Sequence, residues 1–400
     1  MSQGSGLGNR RLALMALLIA IAAVAASAAS AGRAHSTATT IKIGWISGLT
    51  GTQATNSLSA TQGLAAAIKV INKTHVAGKN IQFQIVTVDD AATPQVASQR
   101  CNQLVNQDHV QVILGFESTP ATQACLQYSA PAKIPYILAQ TSTSGAICDP
   151  TYYSLATVGN QQVNPLVDYL AKHGSKNVYI VASDFASGHI GTGQVQARVK
   201  LRGGNVVGNS YEPLGTTDFS SDISKIAAAK PDTVIDVLVG NDEVAFYKQF
   251  RTDPRSAGIK TGSFLMDDGI ASAIGQKLMK NTVVNTSYSA TSTSKGNLQF
   301  LAALKAKYGS KALVSGAAAA AWDGAWILAK TIQRANTTNS ASLITALGNA
   351  YYSGPRGDLS FKGKHYVSLA SFVVSYNGTK GSIVGKYSRI FPIPANAACK

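Results

Sequence analysis

Three polar stretches in this chain have residue types that could hold a small molecule. Ser118 and Thr119 stand between an apolar run, Val110–Leu114, and a helix-forming stretch from Ala121. Hydroxyls and free backbone N–H groups at a helix start favour an anion or a carbonyl oxygen. The same two residues could simply cap the helix, a duty Thr119 can perform. Gln140 and Ser142 follow the next strand-like run, where an ordinary solvated turn is the plainer reading. Asp267-Asp268-Gly269 ends a third apolar run; a carboxylate there could accept from an ammonium or amide, or the triplet could be only a turn signal.

Nothing comparable points to catalysis. The chain has no G-x-S-x-G elbow, no H-E-x-x-H and no Walker A lysine motif. Gly188–Gly193, reading GHIGTG, lacks the full dinucleotide pattern, and His189 within it reads as a solvent-facing histidine or a ligand contact. The remaining histidines are scattered without metal-ligand spacing. Neither an enzyme nor a bound cofactor or metal is expected.

Strand-loop-helix alternation positions these stretches. Ile41–Ile46, Ile81–Val88, Val110–Leu114 and Tyr136–Ala139 read as strands, and Thr93-Pro94 opens a helix as N-cap and first residue. After Tyr152-Tyr153 the series restarts with the strands Val178–Ala182, Asn205–Tyr211, Thr233–Val239 and Ser263–Met266. Ser183–Gly193 reads as a glycine-rich turn and Thr50–Leu58 as a loop. Residues 342–400 read as short strand-like pieces, and the alanine run Ala317–Ala321 as closely packing helix surface. Such alternation makes parallel sheets covered on both faces, and 400 residues exceed what one core usually serves.

The first residues resemble an export signal: Arg10-Arg11, the 13-residue apolar run Leu12–Val24, and small residues near Ala29-Ser30-Ala31. That run is short for the roughly 20 residues that span a bilayer. A cleaved signal peptide over 1–31 and a periplasmic or secreted location are therefore expected. In that compartment Cys101, Cys125, Cys148 and Cys399 suggest disulfides with three possible connectivities. Cys101–Cys125 with Cys148–Cys399 is favoured, because the first two lie on consecutive predicted helices flanking one strand. The formal charge of +16 is spread along the chain without a nucleic-acid motif, so no nucleic-acid partner is expected.

IKIGWISGLTG at 41–51, VDDAATPQVA at 88–97, GFESTPATQA at 115–124, NVYIVASDF at 177–185, EPLGTTDFSSDISKI at 212–226 and AWDGAW at 321–326 together resemble one family. The chain is similar to the solute-binding proteins of branched-chain amino acid and urea or short-amide ABC importers. The resemblance implies an α/β type I periplasmic-binding fold, with two Rossmann-like lobes, parallel central sheets and a three-strand hinge. It implies lobe 1 at 38–157 plus 288–350 and lobe 2 at 158–287 plus 351–395, with crossings near 156–160, 284–288 and 350–356. The implied partners are a small-molecule ligand and an inner-membrane permease, and the protein would act as a monomer.

By position in that family, Ser118 and Thr119 would bind the ligand's carboxylate or amide oxygen. Gln140 and Ser142 would add polar contacts, and Asp268 would hold an ammonium. Ser187 stands where the leucine-binding branch has a tyrosine, Phe185 fits the aromatic of the urea and amide branch, and Asn56 replaces a covering aromatic. The implied pocket is more polar than a leucine site.

Overall fold

The computed structural model describes residue 1, residues 38–142 and residues 147–392. The expected signal peptide, apart from Met1, lies outside the described residues. The chain opens with β1 (Thr39–Ser47), α1 (Ala54–Thr74), β2 (Ile81–Asp89), α2 (Pro94–Asn106), β3 (Val112–Phe116), α3 (Thr119–Ser129), β4 (Tyr136–Leu138) and β5 (Tyr152–Ser154). Its five strands lie in the order β2-β1-β3-β4-β5, with β1–β3, β3–β4 and β4–β5 parallel. Every residue of β3 is buried, as a strand covered on both faces requires. Thr93 caps α2 by accepting from the Val96 N–H at 3.3 Å, with Pro94 in the first turn. Cys101 of α2 and Cys125 of α3 form a disulfide with their Cα atoms 5.1 Å apart, the favoured pairing. Cys148 is disulfide-bonded too, but its expected partner Cys399 lies outside the described residues.

The second half runs α4 (Gly159–Lys172), β6 (Asn177–Ser183), α5 (Ala186–Leu201), β7 (Asn205–Glu212), α6 (Ser220–Ala229), β8 (Thr233–Val237), α7 (Asn241–Thr252), β9 (Lys260–Ser263), α8 (Asp268–Ile274) and β10 (Thr282–Thr286). The chain then returns to the first sheet with α9 (Lys295–Tyr308), α10 (Gly316–Ala335) and α11 (Ser340–Leu347). The hairpin β11 (Tyr351–Gly354) and β12 (Gly357–Ser360) leads to β13 (Leu369–Tyr376) and β14 (Gly381–Ile390). The second sheet has the order β14-β13-β10-β9-β8-β6-β7. It is parallel through β7, β6, β8, β9 and β10, but β13 and β14 run antiparallel. This seven-stranded sheet therefore has the expected parallel centre, with two antiparallel strands added at one edge.

The alanine run lets α10 lie close against α1: a Cβ on Gly63 would sit 2.0 Å from the Ala318 carbonyl oxygen. Several local expectations are corrected. Residues 186–193 are helix, not turn, and Gly188 and Gly191 serve packing. A Cβ at Gly188 would fall 1.9 Å from the Ser183 carbonyl oxygen, and one at Gly191 would fall 2.8 Å from Val237. Residues 340–347 are helical rather than strand-like: Asn339 caps them by accepting from the Ser342 N–H at 3.0 Å, and Leu343 and Leu347 bury one face. Residues 54–58 belong to α1, which leaves no loop there beyond Gln53.

The last crossing also lies later than 350–356. The β11–β12 hairpin is held in the first lobe's core by Tyr352 and Leu359, and Trp322 Nε1 donates to the Tyr352 hydroxyl at 3.0 Å. Arg356, in the hairpin turn, is fully buried beside Asp323 at 3.8 Å and donates to the Leu155 carbonyl at 2.6 Å. The chain crosses after Tyr366, where the Val367 N–H donates to the Ser154 carbonyl at 3.0 Å, and joins the second sheet at β13.

Candidate functional site

Parallel strands point their carboxyl ends to one edge of a sheet, and ligands of open α/β folds bind outside that edge. The ends of β1, β3 and β4 carry Asn56, Ser118 with Thr119, and Gln140 with Ser142. The ends of β6 and β9 carry Phe185 with Ser187, and Asp268. Where the lobes meet, a solvent-open cleft is lined by Ser142, Thr157, Gln162, Asp268, Ser287 and Tyr288, among others. Ser142 and Asp268, from opposite lobes, are thus brought together on its walls.

The other six candidates do not line this cleft. Asn56 is exposed on the first turn of α1. Ser118, rather than Thr119, is the N-cap of α3, accepting from the Ala121 N–H at 3.5 Å; Thr119 is the first helical residue. The side-chain amide of Gln140 reaches Gln53 at 3.5 Å. Phe185 occupies the N-cap position of α5, with Ser187 half-buried in its first turn. His189 is exposed, pairs with Asp184 at 2.7 Å and stacks on Tyr211.

Asp267 and Asp268 divide their work. Asp267 caps α8, accepting from the Ile270 N–H at 2.9 Å. Asp268 Oδ2 is shielded from solvent and has no hydrogen-bond partner. Burial first, and the neighbouring Asp267 charge second, push its carboxyl up to about 6. Across the cleft the Tyr288 hydroxyl is also shielded and unpartnered. A carboxylate oxygen and a phenol left this way are costly unless something binds them.

The loop that carries Asp268 is fixed from beneath. Ser263 Oγ donates to Glu243 Oε1 at 2.8 Å and accepts from the Met266 N–H at 3.2 Å. Glu243 and Asp236 are both fully buried, and Tyr247 donates to Asp236 at 2.9 Å. Burial and then the charge of Asp236 hold the Glu243 carboxyl well above its ordinary range. The first lobe has a counterpart one residue before Ser118: Glu117 is buried, accepts from the Tyr136 hydroxyl, and is raised by burial and then by its hydrogen bond and charge interaction with Asp90. Sequence reading missed Glu117, Glu243 and Tyr288. An acid directly after an apolar strand is the signal that could have found Glu117.

The crossings are fastened by side-chain amides. Asn285 Nδ2 donates to the Gln161 carbonyl at 3.1 Å and the Gln162 carbonyl at 2.5 Å. Gln161 Nε2 reaches the Val367 and Ile390 carbonyls at 3.0 and 2.8 Å. All these crossings meet beside the cleft, so a change in lobe angle reshapes it directly.

Two α/β lobes thus flank a polar cleft lined from both sides. The profile of the periplasmic binding protein family matches residues 40–380, and the chain belongs to that family. It is similar to the Leu/Ile/Val-binding protein homolog 6 of Brucella melitensis, 24% identical over 67% of this chain and 70% of the relative. A solute-binding protein of an ABC transporter from Rhodopseudomonas palustris BisB5, solved with 3,4-dihydroxybenzoic acid, is 27% identical over 88% of this chain and 98% of that one, with a TM-score of 0.77. An amino acid ABC transporter substrate-binding protein from Pseudomonas fluorescens Pf-5 shares the fold at 17% identity and a TM-score of 0.78, over 91% of this chain and all of that one. The protein is a substrate-binding protein of an ABC transporter, in the leucine-binding-protein family, and is not an enzyme.

Proposed function

We propose that the protein works in the periplasm as a monomer. There it captures a small polar solute in the inter-lobe cleft and hands it to the membrane permease. The solute class is a branched-chain amino acid, urea or a short amide, each of which offers an N–H donor. The observation that carries this reading is Asp268 Oδ2, a shielded acceptor without a partner on the cleft wall. Ser142 and Tyr288 supply hydroxyls from the facing side. Ser118, Thr119 and Gln140 stand at the same edge of the first sheet, and Asn56, Phe185 and Ser187 at the outer rim. They would reach the ligand as the lobes close.

A second reading is favoured by the Rhodopseudomonas palustris relative solved with 3,4-dihydroxybenzoic acid. A hydroxylated benzoate would donate a phenolic O–H to Asp268 and turn its carboxylate toward the start of α3. A thermal-shift screen of the mature protein, unfolded and refolded to strip carried ligand, separates the two. A ligand that binds only the native state raises the melting temperature. Shifts with amino acids, urea or amides support the first reading, and shifts with hydroxybenzoates alone support the second. No shift with either class contradicts both.

A further inference from the structure

The second lobe divides its charge between its two ends. Asp184, Glu212, Asp218 and Asp242 follow the carboxyl ends of β6, β7 and β8, on the same side as Asp268. The opposite end, where the strands begin and the helices finish, is basic. Lys172 closes α4, Lys200 and Arg202 stand at the end of α5, Lys230 is the C-cap of α6, Lys176 precedes β6 and Lys260 opens β9. All of these except the half-buried Lys260 are exposed. Cations favour helix C-termini, which accounts for Lys172, Lys200 and Lys230. It does not account for Lys176 and Lys260, which stand at strand starts.

These positions make one surface. Thr233 pairs with both Val178 and Lys260, so the starts of β6, β8 and β9 stand in a row. The Asn205 N–H donates to the Lys176 carbonyl at 2.7 Å, which fastens the end of α5 beside that row, and Lys260 Nζ donates to the His173 carbonyl at 3.1 Å. The acids nearby are already engaged. Asp168 is shared by Arg198 and Arg202, each at 2.5 Å, and Asp232 accepts from the Lys176 and Asn177 N–H groups at 2.9 and 2.8 Å.

Leu201 stands out of this surface between Lys200 and Arg202. It is 69% exposed, more than any other large apolar residue among those described except Met1. A lone exposed leucine is ordinary, but an apolar tip set among cations suits the interface of an anionic bilayer, where headgroups meet acyl chains. A hydrophilic polyanion would reward the lysines and gain nothing from the leucine. We infer that this end of the second lobe docks on an anionic phospholipid surface, with the lysines on headgroup phosphates and Leu201 inserted between them. The cleft lies at the other end of the strands and stays open to solvent, so the docked protein can still take up solute. The inference does not depend on which solute that is.

Co-sedimentation of the mature protein with phosphatidylglycerol–phosphatidylcholine vesicles, and with phosphatidylcholine vesicles alone, tests it. Wild type is expected to bind the anionic vesicles at roughly 0.1 M salt and to leave them as salt shortens the screening length toward that at about 1 M. The triple variant Lys172→Gln, Lys176→Gln, Lys200→Gln is expected to bind about tenfold more weakly or worse. Leu201→Ser, which keeps every charge, is expected to bind several-fold more weakly. Because the whole chain carries a formal charge of +16, a control removes the same charge elsewhere. Lys305→Gln, Lys307→Gln, Lys311→Gln, at exposed positions in the first lobe, is expected to bind like wild type. Absence of binding to anionic vesicles, or equal binding to neutral ones, overturns the inference. Equal weakening in the two triple variants reduces the effect to net charge and overturns it too. Unchanged binding in Leu201→Ser makes the surface a site for polyanions in general and overturns the lipid assignment.

Discussion

Asp267 and Asp268 are consecutive carboxylates with opposite fates: one is spent on the Ile270 N–H at 2.9 Å, and the other is left shielded and unpaired. An N-cap carboxylate stabilises its helix by about 1 kcal/mol. Asp267→Ala is therefore expected to cost about that much in urea denaturation, whereas Asp267→Asn, which can still cap, is expected to cost little.

The raised carboxyl of Asp268 gives stability and binding opposite pH dependences. Its folded value of about 6 lies above the ordinary aspartate range. The folded protein therefore holds that proton more tightly than the unfolded chain does. The associated stability is fully present below the ordinary value and is lost as pH rises through about 6. Ligand-free protein is expected to lose this contribution between pH 4 and pH 7, and Asp268→Asn to lack that part of the profile. Binding of a donor needs the ionised carboxylate, so affinity is expected to fall about tenfold from pH 7 to pH 5. An affinity constant over that range would contradict the role.

Ser263 and Glu243 hold the Asp268 loop from beneath, and under the proposed function they would affect a ligand only through it. Glu243→Leu leaves the Ser263 hydroxyl without its buried acceptor and is expected to weaken binding several-fold. Glu243→Gln, which retains an acceptor, is expected to restore it. The informative readout is the pH profile of binding, which should shift in Glu243→Leu and return in Glu243→Gln. Loss of stability with unchanged binding in Glu243→Leu would reduce the residue to a packing role.

Arg356 and Asp323 form a buried ion pair beside the crossings. Removing one member strands the other charge, and such breaks cost about 3–5 kcal/mol. Arg356→Met is expected to lose stability in that range by urea denaturation, and the double variant Arg356→Met with Asp323→Leu to regain most of it.

The strand-helix alternation was legible because apolar runs bounded by polar loops report burial on both faces, as in Val112–Phe116. Thr93-Pro94 was legible for a different reason, since capping is local. The glycines of α5 misled because Gly188 and Gly191 answer to contacts with Ser183 and Val237 that sequence order does not display. The β11–β12 hairpin was assigned to the wrong lobe for the same reason: Tyr352 and Arg356 find Trp322 and Asp323 only in three dimensions. Asp268 and Ser142, which the family resemblance singles out, both line the cleft. Choosing between Asp267 and Asp268 required the cap, and Tyr288 and Glu243 became visible only through their surroundings.

The most direct test of solute capture at Asp268 is calorimetric titration of the best thermal-shift ligand into refolded wild type, Asp267→Asn and Asp268→Asn. Losing a charge-assisted hydrogen bond costs about 1.5–3 kcal/mol. The account predicts binding at one site in wild type and Asp267→Asn, and at least tenfold weaker binding in Asp268→Asn. Equal affinity in Asp268→Asn and wild type would contradict it.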